Sequence, residues 1–160
     1  CMSLAGRSRD HVAEMLAELE AEYGSFPVSQ TTVSVPSGCY EETVREWRQT
    51  VARADVHVRN ETGEVLVLTD GDEVRPPGSA VSPDQSIEAR ARRAVSRSVG
   101  VECRIDGLQA VTIAGVQNEH DTDDDPVYRL VALFDGTHVS GTPVTDCRWL
   151  AEPPESQLLI

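Results

Sequence analysis

Apolar side chains recur at helical spacing between His11 and Glu22, where Val12, Met15, Leu16 and Leu19 share one face. Asp10 is placed to cap this helix and Gly24 to end it. Residues 24–36 are rich in turn formers and enclose a short β-like run, Thr31 to Val35. A second amphipathic helix is expected next, with Tyr40, Val44, Trp47 and Val51 on one face. Residues 1–50 therefore read as an N-terminal helical extension. Cys1-Met2-Ser3-Leu4 is set aside as an expected expression remnant.

From residue 51 the period changes from helical to two. Ala52, Ala54, Val56 and Val58 alternate with Arg53, Asp55, His57 and Arg59, the pattern of a half-buried strand. Asn60-Glu61-Thr62-Gly63 reads as a turn, and the run Val65-Leu66-Val67-Leu68 as a central strand returning from it. Asp70 to Ser82 reads as a Gly/Pro loop. A helix from Ser86 to Val99 follows, with Ile87, Ala91, Val95 and Val99 toward the core. Asp84 or Ser86 can cap it, and Gly100 can close it in a left-handed conformation. Strands are expected at Val101–Ile105, Leu108–Val116, Val127–Phe134 and Val144–Leu150. Mixed strands around one marked helix predict an α+β fold, an αβα sandwich on a mixed β-sheet.

Charge narrows the partners. The formal net charge is −13, and all 14 basic residues are arginine. Such a surface repels nucleic-acid backbones and anionic membranes, so neither is an expected non-specific partner. Its self-repulsion is screened at about 1 M salt, where the Debye length is roughly 3 Å, and acid excess without lysine is similar to proteins of salt-in halophiles. The lack of lysine excludes Schiff-base chemistry and a Walker-type phosphate loop. Cys1, Cys39, Cys103 and Cys147 form no CxxC pair, and the histidines have no zinc spacing. Buried or incidental thiols in a cytoplasmic protein are the expectation. No apolar run approaches the roughly 20 residues of a membrane helix.

The segment Pro76 to Val101, PPGSAVSPDQSIEARARRAVSRSVGV, has a loop–helix–loop layout that resembles the Nudix (MutT-like) box, G-x5-E-x7-R-E-U-x-E-E-x-G-U. Laid from Ser79 to Val101 without a gap, Arg93, Val95, Gly100 and Val101 match. Ser79 replaces the first glycine, Gln85 the first glutamate, Ala94 the glutamate after the arginine, and Arg97 and Ser98 the Glu-Glu pair. Pro77-Gly78 and the turn from Ser82 to Ser86 resemble the flanks of the box, and the resemblance covers roughly residues 52–152. The preface is similar to an extension of haloarchaeal members. The resemblance implies a Nudix-like domain over residues 51–160.

The substitutions change what the resemblance implies. In the family the helix face at positions 94, 97 and 98 presents oxygen ligands to divalent ions that activate a pyrophosphate. In this chain it offers a methyl, a guanidinium and a hydroxyl. Two unit charges 4 Å apart repel by about 4 kcal/mol at an effective dielectric of 20, so Arg97 disfavours a cation. No catalytic residue, metal or cofactor is therefore expected. Arg90, Arg93 and Arg97 become candidate ligand-binding residues, since guanidinium forks suit phosphate, with salt bridging to the acidic surface as the competing reading. The function expected is a module binding a phosphorylated small molecule or a protein, with a homodimer left open. The alternative is a hydrolase of a nucleoside diphosphate linked to another moiety, such as ADP-ribose. It would use Mg or Mn held outside the box, by Glu119, Asp121 and Asp123 of the acidic loop.

Overall fold

A computed structural model of the chain describes residues 4–47, 51–71, 73–82, 85–120, 126–144 and 146–152. Its frame is one mixed sheet in the strand order β1-β6-β7-β2-β3-β4, with β5 added beside β2 and β8 beside β3. The strands are β1 (Val28–Val35), β2 (Ala52–Arg59), β3 (Val65–Asp70), β4 (Glu73–Arg75), β5 (Gly78–Val81), β6 (Glu102–Asn118), β7 (Val127–Ser140) and β8 (Cys147–Leu150). The helices are α1 (Leu4–Tyr23), α2 (Ser37–Glu46) and α3 (Ile87–Val99). The fold is α+β with an N-terminal helix, as the periodicity predicts.

Strand pairing decides which side chains share a face. β2 runs parallel to β7, with Ala52 opposite Leu130, Ala54 opposite Ala132, Val56 opposite Phe134 and Val58 opposite Gly136. Registered residues point to the same side of a sheet. This side is the main core: Val56, Val58, Leu130 and Phe134 are fully buried. Burying each such side chain stabilises by about 1.5–3 kcal/mol. α1 lies over this side, with its Tyr23 ring set edge-on to Phe134 at 5.8 Å. α3 lies beside it, and Tyr23 Oη donates to Glu88 Oε2 at 2.6 Å. On the opposite side α2 covers the far end of β6, where Ser37 Oγ donates to Asn118 Oδ1 at 3.0 Å. The layers are therefore helix, sheet, helix.

Several boundaries differ from the sequence-based expectation. α1 begins at Leu4, so Asp10 lies inside the helix and does not cap it, while Gly24 does end it, with φ +78° and its N–H on the Glu20 carbonyl. α2 ends at Glu46, and the fully buried Val51 belongs to the approach to β2 instead. Residues 28–35 make the expected β-like run a full strand, parallel to β6, so the preface contributes to the sheet as well as helices. The expected loop from Asp70 to Ser82 holds β4 and β5. β5 forms because the start of β2 has an unpaired edge: Ala52 to Asp55 pair antiparallel with Val81 to Gly78. The turn after β2 is present, and β2 and β3 come into antiparallel register at Arg59 opposite Val65. The two strands expected at 101–105 and 108–116 are one strand, β6, interrupted by register shifts at Ile105/Gly107 and Leu108/Ala110. Such bulges let a long strand bend without losing its partner.

Candidate functional site

α3 is fixed at both ends by the residues its sequence supplies. Ser86 Oγ accepts from Ala89 N, and Gly100 at φ +75° donates its N–H to Ser96 O. A side chain at position 100 would be strained in that left-handed conformation. Asp84, the other candidate cap, lies outside the described residues. Ile87, Ala91, Val95 and Val99 are buried as expected. The turn before the helix is closed by Gln85, whose Oε1 accepts from Ser82 N and whose N–H donates to Ser82 O, both at 3.1 Å. Ser79 lies on β5 opposite Ala54. Gln85 thus carries out a structural task at the position where the Nudix pattern has its first glutamate.

The helix separates the remaining box positions. Ala94 is only 4% exposed and packs inward, whereas Arg97 and Ser98 face solvent. A carboxylate at position 94 would stand at the seam between core and water. The donor set at 94, 97 and 98 does not fit a divalent ion: one member is a buried methyl and another a cation. Arg90, Arg93 and Arg97 fall within about 60° of one another around the helix at 3.6 residues per turn, forming one stripe. Arg90 is half-buried and its Nε donates to Ala80 O of β5 at 3.3 Å. Arg92 lies on the other flank, where its charge reaches Tyr23 and Cys103. Ion pairs among the described residues include Arg53–Asp55, Arg59–Asp135, Arg104–Asp106 and His120–Glu119. None uses an arginine of α3, so the expected salt bridging of this helix is not seen there. Glu119 is exposed beside His120, and Asp121 and Asp123 lie outside the described residues. Among the described residues no three His, Cys, Asp or Glu side chains converge as a metal cluster.

An open cleft of about 520 Å³ lies beyond the C-terminal end of α3, between the β2–β3 turn and the segment after β7. Asn60, Glu61, Glu64, His138 and Trp149 line it. The same segment seals the helix end, with Val144 N donating to Val99 O at 3.1 Å. Hydrogen bonds from Asn60 and Thr62 hold the Glu64 carboxyl below the ordinary glutamate range, so it stays ionised. Two carboxylates in the wall make this cleft a poor phosphate site, in contrast to the α3 stripe.

Sequence reading missed a polar row on the sheet side away from α1 and α3. Its residues are the alternating Arg53, Asp55, His57 and Arg59, which read as a solvent face, yet His57 is 6% exposed. Its Nδ1 lies 3.0 Å from Gln109 Oε1, and toward that amide oxygen, an acceptor, the ring nitrogen is the donor. Burial lowers the His57 pKa and raises that of Asp55, the latter partly offset by Arg53 at 3.0 Å. Asp55 fits because its neighbour is Gly78, where a Cβ would come within 1.8 Å of Asp55 Oδ1. Burial pushes the Cys103 thiol up to about 11 and raises that of Cys147, the reverse of what an activated thiolate needs.

No family model matches the sequence, and no curated protein matches it. Solved structures do. The MutT protein from Bacillus halodurans superposes with a TM-score of 0.52 over 62% of this chain and 67% of that one, at 15% identity. The MutT protein from Methanosarcina mazei Go1 gives 0.48 over 65% and 78%, at 18% identity. A Nudix hydrolase from Nitrosomonas europaea gives 0.47 over 64% and 72%, at 15% identity. No helix of the described residues is long and apolar enough to cross a membrane. Strand order, the capped helix between β5 and β6 and the likeness to the Bacillus halodurans protein together give this chain the fold of the Nudix proteins.

Proposed function

We propose that this chain is a Nudix-fold binding module for a phosphorylated small molecule, without ordinary Mg-dependent hydrolysis. The observation that carries the reading is the α3 surface. Arg93 and Arg97 face solvent without a described carboxylate partner, beside Arg90, in a chain of net charge −13. A local reversal of sign raises the concentration of anions at that stripe, and planar guanidinium groups suit phosphate oxygens. The buried Ala94 and the cationic Arg97 leave no oxygen set for a divalent ion on the same helix.

The test is calorimetry with ADP-ribose and with inorganic pyrophosphate in metal-free buffer, on the natural chain and on Arg93→Ala/Arg97→Ala. Binding weakened about tenfold or more by the double substitution is expected, as is hydrolysis at background with magnesium or manganese. Equal binding by both proteins would remove the stripe from the reading.

A second reading is supported by the likeness to the Bacillus halodurans MutT protein. It is a hydrolase of a nucleoside diphosphate linked to another moiety, with Mg or Mn taken outside the box by Glu119, Asp121 and Asp123. Turnover of ADP-ribose with manganese, lost on replacing those three residues, would favour it.

A further inference from the structure

The sheet ends in two unlike edges. β4 is three residues long and includes Glu73 and Arg75, the short, charged edge that resists pairing with another chain. β1 at the other edge has eight residues, VSQTTVSV, and none is charged. It lies in the longest uncharged stretch of the chain, residues 23–40. Val28 and Val33 are among the exposed large apolar residues, at 45% and 38%.

The inner rung of β1 is taken. Val111 N donates to Pro27 O at 3.0 Å and Glu119 N to Val35 O at 2.9 Å, so the odd-numbered residues face β6. The N–H and C=O of one strand residue point to the same side. Val28, Gln30, Thr32 and Ser34 therefore direct theirs outward, and none meets a partner among the described residues. Pro27 and Pro36 bound the strand and limit any added pairing to its length.

We propose that this edge joins two copies of the chain, β1 running antiparallel to β1 across a two-fold axis at Thr31. Val28 then stands opposite Ser34 of the second copy and Gln30 opposite its Thr32, each pair exchanging backbone hydrogen bonds, so the contact is self-complementary. Charge selects the occupant. The chain as a whole sets 27 acidic residues against 14 arginines, so two copies repel at an average approach. The β1 edge is the long strand edge on which two such chains approach without opposing carboxylates. Residual repulsion is screened by salt, so association strengthens as the Debye length falls from about 10 Å at 0.1 M to about 3 Å at 1 M. None of this depends on what α3 binds.

The test is sedimentation equilibrium of the full chain at about 0.1 M and about 1 M KCl, with hydrogen exchange read at residues 28–35. The natural chain is expected to dimerise more tightly at the higher salt. Concentration-dependent protection is expected at Val28, Gln30, Thr32 and Ser34 and not at the residues between them. Gln30→Glu/Thr32→Glu places like charges opposite each other and should weaken the dimer by about tenfold or more. Mixing it with Gln30→Arg/Thr32→Arg should restore a one-to-one pair. Should the glutamate variant fail to fold, Thr32→Pro serves, since it removes an outward N–H and leaves the bonds to β6. A natural chain that stays monomeric at both salts overturns the proposal. So does a dimer with no protection at β1, or one that folded variants leave unchanged.

Discussion

α1 and α3 lie over the same side of the same sheet, yet their outer surfaces carry opposite charge. α1 has five acidic residues against Arg7 and Arg9, and α3 has four arginines against Glu88. Their inner surfaces are alike: Val12, Met15 and Leu19 in one, Ile87, Ala91, Val95 and Val99 in the other. They meet where Tyr23 donates to Glu88. Packing on the sheet therefore fixes one stripe of each helix and leaves the other free. A sign reversal that packing does not require is the feature most open to explanation by binding.

The strongest way to break the comparison is to remove the floor beneath the helices. Phe134→Ala should cost about 3–5 kcal/mol in denaturant unfolding, because a fully buried ring under Tyr23 leaves a cavity. A loss below about 1 kcal/mol would mean that the helices do not share that core. Next comes the seam on α3. Ala94→Glu should destabilise by about 1–3 kcal/mol, since it forces a carboxylate into a site 4% exposed. Arg97→Glu and Ser98→Glu should stay within about 0.5 kcal/mol as surface changes. Equal losses at all three positions would contradict the inward placement of Ala94.

The junction itself is worth less. Tyr23→Phe should cost about 1 kcal/mol at neutral pH by removing the bond to Glu88. Burial, then that hydrogen bond, raises the Tyr23 pKa well above its ordinary 10.0. Above pH 10 the native chain therefore holds a proton that the unfolded chain loses, and stability falls as pH rises. Melting curves from pH 9 to 11 should show a flatter decline in Tyr23→Phe, and an unchanged slope would remove Tyr23 as its source.

The smallest effect lies on the sheet side that neither of these helices covers. Burial lowers the His57 pKa from 6.5, so the unfolded chain binds the extra proton first. Stability from this group is full above about pH 6.5 and declines as the pH falls below it. His57→Gln should flatten stability between pH 7 and about 5 relative to the natural chain. Retention of the natural slope would assign it to other groups.

Much of this architecture is readable from period and punctuation. β2 occupies Ala52 to Arg59 because its alternation is strict, and α3 shows its caps and its core stripe in the residues themselves. β4 and β5 were hidden because three or four residues beside Gly and Pro carry no period. β6 read as two strands because its bulges break the alternation. At the site, the helix and its arginine stripe were readable, but the inward turn of Ala94 was not. Alanine is equally at home in core and water, so only the sheet beneath reveals its orientation. The row around His57 escaped for a related reason: polar residues on alternate positions look solvated until neighbouring strands close over them.

The pairing of β1 also sets an order of events during synthesis. Ser29 meets Thr112, 83 residues further along, so the inner rung of this strand has no partner until β6 exists. At 5–20 residues per second a ribosome needs roughly 4–17 s to deliver that distance. For that interval an uncharged, β-branched segment waits with both edges open. The crowded neighbourhood of a polysome, where nascent copies of the same strand emerge side by side, is where it is most exposed to pairing before its own sheet is made.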